Sequence, residues 1–94
     1  MASKRELKND LKFYVSELIS ECFAYTFFVP EADLKSTEEI INDIVEFYGK
    51  TLIDINAVKK LAKAERGDNM KAIRNDIEQK IHEFIGRMAK LNSK

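Results

Sequence analysis

This sequence has no tryptophan, one proline, one cysteine, one histidine and three glycines in 94 residues. Each shortage excludes something. Sparse glycine and proline exclude a low-complexity chain and the turn-rich all-β folds, which need those residues at frequent reversals. A lone cysteine, Cys22, forms no internal disulfide, which suits a reducing compartment. Net charge is missing too: 16 Lys and Arg balance 16 Asp and Glu. No overall field therefore draws the chain to nucleic acid or anionic lipid. The longest uncharged stretch, Cys22–Pro30, is under half a membrane span. The opening MASKRELKND has no apolar signal core, and Ala2 does not accept a myristoyl group. These shortages predict one soluble, cytoplasmic domain, 1–94, with no membrane segment.

What is present is helical periodicity. Ser3 and Glu6 form a capping-box pattern, after which Leu7, Leu11, Tyr14, Val15, Leu18, Cys22 and Tyr25 recur at three- and four-residue spacing. Pro30 disfavours α conformation at Val29 and so ends this first segment near Phe28. Ser36 and Glu39 give a second capping box. The inner stripe that follows is Ile41, Ile44, Val45, Tyr48, Leu52, Ile55 and Ala62, widened by Ile40, Phe47 and Val58. Gly67 reads as the helix stop and Asp68 as the next cap. A third segment carries Met70, Ile73, Ile77, Ile81, Phe84, Ile85, Met88 and Leu91. The spacing predicts helices over about 4–28, 37–65 and 69–91. Short connections then make an all-α, antiparallel up-down-up three-helix bundle.

The first helix has more apolar surface than one bundle uses. Placed at about 100° per residue, Phe13, Phe23 and Phe27 fall opposite its inner stripe, around Ser16, Ser20 and Ala24. Helices that are apolar on both sides are normally buried on both sides. Phe13 and Phe27 are equidistant from Ser20, and so are Ser16 and Ala24. Two copies crossing antiparallel at Ser20 would therefore match, as a two-fold axis requires. The expectation is a homodimer through Phe13, Ser16, Ser20, Phe23, Ala24 and Phe27. Two other covers fit the same residues: the loop 29–35 folded back with Leu34, or a different protein that uses this chain as an adaptor or accessory subunit.

Charge is unevenly placed. The end of the bundle holding residues 1–12 and 59–77 carries about +5 and the other about −5. Lys59, Lys60, Lys63 and Arg66 form an anion patch at the first end, suited to a phosphate-bearing ligand or an acidic partner. The same residues also serve as cations complementing the negative end of the second helix's dipole. No aromatics interleave them, and no recognition helix follows a tight turn, which argues against nucleic-acid binding.

Material for catalysis is thin. His82 lies off the apolar stripe, position 86 is Gly where a zinc-protease helix needs a second His, and no Glu-x-x-His pair exists for a di-iron site. Cys22 sits on the inner stripe, where a thiol is inert. No Gly-rich phosphate loop is present. In length, helical pattern and expected pairing the chain is similar to the small helical chorismate mutases, whose long first helix supplies arginines to a dianionic substrate. Here no Lys or Arg occurs from Phe13 through Phe28, and a buried dicarboxylate without cations is too costly. The sequence thus points to a non-catalytic interaction module with no cofactor and no metal.

Overall fold

The computed structural model describes residues 4–92 as α1 (Lys4–Phe28), α2 (Leu34–Ala57), a 3-10 turn (Val58–Lys60) and α3 (Lys63–Asn92). All three helices touch one another. They lie along a rod measuring 52 × 17 × 17 Å. Helices this long joined by short connections lie antiparallel to their neighbours in the chain. The Ser3 cap expected for α1 falls outside the described residues.

The core is the seam between the three helices. Leu7, Leu11, Val15, Leu18, Cys22 and Tyr25 face it from α1, Ile40, Ile44 and Ile55 from α2, and Ile73, Ile77, Phe84, Met88 and Leu91 from α3. Phe47 and Phe84 join α2 to α3 with ring centroids 5.9 Å apart. Four expected core residues are not in it. Tyr14, Val45 and Ile85 are exposed, as is Ala62. On α2 the buried line Thr37, Ile40, Ile44, Thr51, Ile55 is rotated away from the expected stripe, leaving Ile41, Tyr48 and Leu52 half-buried. The physical reason is that α2's apolar arc is wider than the surface two neighbours cover. Gly49 does not interrupt α2, and a Cβ there would meet only open space.

The first corner is built by hydrogen bonds. Pro30 follows Val29 in a tight turn closed by Ala32 N–H donating to Val29 O at 3.2 Å, a position where proline's fixed φ is favourable. Asp33 then caps α2, replacing the Ser36 cap expected from the sequence. Ser36 N–H donates to Asp33 Oδ1 at 3.0 Å and Ser36 Oγ to Asp33 Oδ2 at 2.8 Å. Thr37 Oγ1 donates to Asp33 O at 2.7 Å, and Asp33 N–H donates to the buried Tyr25 hydroxyl at 2.9 Å. Helix cap and interhelix tie thus meet at one residue. Asp33→Ala removes the carboxylate that accepts both Ser36 bonds and is expected to cost about 1–2 kcal/mol of stability. A urea melt followed by circular dichroism measures it, and an unchanged midpoint would show that the cap contributes nothing.

The second corner corrects the expected boundary. Helical structure ends at Lys60, Leu61 is extended, and α3 starts at Lys63, so Gly67 lies within α3 and Asp68 caps nothing. The first turn of α1 sits beside the charge of Lys59. A glycine costing about 1 kcal/mol is tolerated inside α3. Arg66 staples the corner, its Nε donating to Leu61 O at 3.2 Å and its Nη2 to Lys59 O at 3.1 Å.

Candidate functional site

The outer face of α1 carries the feature that sets this molecule apart from a plain bundle. Phe13, Phe23 and Phe27 are 61%, 60% and 82% exposed, and Phe28 extends the patch at 75%. Ser16 and Ser20 lie exposed between them and Ala24 is half-buried. The rings do not pack across the face. Phe13 makes an edge contact with Tyr14 at 5.9 Å and Phe27 one with Phe28 at 5.0 Å. Thr26 turns its hydroxyl back to Phe23 O at 2.9 Å, so nothing polar projects from it into the patch. Loop cover, one of the alternatives drawn from the sequence, is not what the structure has. Val29 is half-buried, but Leu34 is itself 65% exposed and the chain leaves Phe23 and Phe27 open.

Three rings at these exposures present roughly 400 Å² of apolar surface, at the upper end of what a monomer shows. The whole chain agrees. It exposes 6850 Å² at a mass of 10.9 kDa, where a compact monomer of that mass exposes about 5,600 Å². Its radius of gyration is 15.4 Å against about 12.4 Å for a compact domain of this length.

The basic end departs from expectation in one respect. Lys59 and Lys60 follow the C-terminal end of α2, where cations suit the dipole. Lys63 and Arg66 lie in the first turn of α3, its positive end, so the dipole explanation does not reach Lys63. Arg66 is occupied by the two backbone carbonyls. Lys59, Lys60 and Lys63 are exposed. Lys4 is held below its ordinary lysine value by partial desolvation, then by the ammonium groups of Lys8 and Lys59. Like charges therefore crowd where α1 begins.

Between α2 and α3 runs an open groove of about 420 Å³, with Ile73, Phe47 and Phe84 among charged residues of both helices. Two pairs of its charges answer one another. Arg87 Nη1 donates to Asp43 Oδ2 at 2.7 Å while its guanidinium lies 5.9 Å over the Phe84 ring. Lys80 pairs with Glu83 at 3.3 Å. Among the described residues no group of three or more His, Cys, Asp or Glu is placed to hold a metal ion. His82 is exposed. Cys22 is buried, and burial pushes its thiol up, away from the reactive thiolate, with Glu21 adding to the effect. Tyr14, expected on the inner stripe of the first helix, is exposed. No described helix is long and apolar enough to cross a membrane. The fold and this surface therefore define a small all-helical protein with a surplus apolar face. No known family, no curated protein and no solved structure matches the chain.

Proposed function

We propose that this chain is a non-catalytic interaction module that pairs with a second copy of itself through the outer face of α1. The observation carrying this reading is the exposure of Phe13, Phe23 and Phe27 on one uncovered side of a helix whose other side is already in the core. Their placement about Ser20 supplies the self-complementarity. In the antiparallel crossing Phe13 meets the partner's Phe27, and small residues at 16, 20 and 24 let the helices approach. The absence of Lys and Arg from α1 beyond Lys12 keeps the crossing apolar.

Electrostatics gives this reading a signature. Crossing at Ser20 overlaps the acidic halves of the two copies, with Glu17 and Glu21 of both along one rim of the contact. Salt screens repulsion between exposed charges over about 10 Å or less. Apolar association opposed by such repulsion strengthens as salt is added. Sedimentation equilibrium at low and high sodium chloride is expected to give a tighter dimer at high salt. Association that weakens with salt would mean that opposite charges, not the Phe face, hold the copies together.

A further inference from the structure

α1 alone is short of area for the pairing just described. A stable interface covers about 800 Å² on each partner, and the three rings supply roughly half of that. The remainder is found on α2. Leu34 is 65% and Val45 54% exposed, and Ile41 is half-buried beside them.

Two ion pairs fix which way these residues turn. Asp10 on α1 reaches Arg74 on α3 at 3.6 Å. Placed on the helix at about 100° per residue, Ile19 and Phe23 then lie on the opposite flank of α1, the one turned to α2. Asp43 on α2 reaches Arg87 on α3, which puts Ile41 and Val45 on the flank of α2 turned to α1. Register follows from the two ends. Tyr25 meets Asp33 at the first corner, and the charge of Lys59 acts on Lys4 toward the far end. Counting inward at about 1.5 Å per residue, the first tie puts Ser20 level with residue 38 and the second with residue 43. Ile41 therefore lies at the level of the same point about which Phe13 and Phe27 are symmetric, and Val45 just beyond it. The apolar surface of α1 runs through Ile19 and Phe23 toward Ile41 on α2, with exposed Glu38 at its edge.

We infer that the second copy covers the groove between α1 and α2, so that two α1–α2 hairpins pair as a four-helix layer and α3 of each copy is left outside. This rests on the reading that a second copy covers α1, and it assigns Leu34, Ile41 and Val45 to the interface. A two-fold axis through Ser20, in the plane of the contact, carries the α2 flank of one copy to the same side as that of its partner. Val45 thus meets the partner's hairpin near the axis. Ile53, exposed on the far side of α2, does not.

Val45→Asp and Ile53→Asp, compared with Phe27→Asp by light scattering, test the assignment. Val45→Asp is expected to weaken the dimer at least a hundredfold and Ile53→Asp to leave it intact. A monomeric Phe27→Asp beside an unchanged Val45→Asp dimer would overturn the hairpin pairing and leave the α1 face standing. Dimers in all three would overturn both. Nitroxides on Val45→Cys and Ile53→Cys read the same geometry without a buried charge, since Cys22 is inaccessible to the label. The distance between copies is expected to be clearly shorter at 45 than at 53; equal or reversed distances would overturn the pairing.

Discussion

Phe27→Asp is expected to convert the protein from two chains to one. In the crossing at Ser20 each copy's Phe27 packs on its partner's Phe13, so one substitution removes two buried rings and places two carboxylates in apolar surroundings. Covering a ring contributes roughly 2 kcal/mol, and an unpaired buried charge costs more than that again. A loss of about 5 kcal/mol weakens the dissociation constant by more than a thousandfold. The monomer itself has little to lose, because Phe27 is 82% exposed and such surface changes fall within about 0.5 kcal/mol. The expected result is therefore a folded, helical monomer. Halved mass with retained ellipticity supports the account; unchanged mass contradicts it.

Ile44→Ala is expected to do the reverse, breaking the fold. Ile44 has no exposed surface and sits in the seam from α2, as Leu11 does from α1. Removing its methyls leaves a cavity, and such substitutions cost about 2–5 kcal/mol. A 94-residue chain has roughly 5–14 kcal/mol in all, and a slender rod with surplus exposed surface belongs near the low end. Ile44→Ala should therefore lose a third or more of the stability, seen as a large fall in the urea midpoint. Ile53→Ala, at a residue 70% exposed, should barely move it. Equal effects at 44 and 53 would show that α2 packs with a different side inward.

The C-terminal end of α1 was legible because it is set locally, Pro30 disfavouring continuation, and of its narrow inner stripe only Tyr14 proved exposed. The outer rings were legible for the same reason, since they stand opposite that stripe. The α2–α3 corner was not. Gly67 is a local stop signal, but the chain leaves the helix at Leu61, which no local pattern reports. Asp33 was overlooked as a cap because Ser36 and Glu39 mimic one three residues later. On α2 the apolar arc from Phe47 round to Val45 is continuous, and a continuous arc does not say which part neighbours will cover. Only the placement of α3, tied through Arg87 and Asp43, showed that Val45 and Leu34 remain exposed.

Everything turns on whether water or a second chain covers that face. Static light scattering on the unmodified protein, across dilution in moderate salt, decides it most directly. The account predicts twice the 10.9 kDa chain mass, falling toward the single-chain value only on strong dilution. A mass of one chain held up to the highest soluble concentration would contradict it.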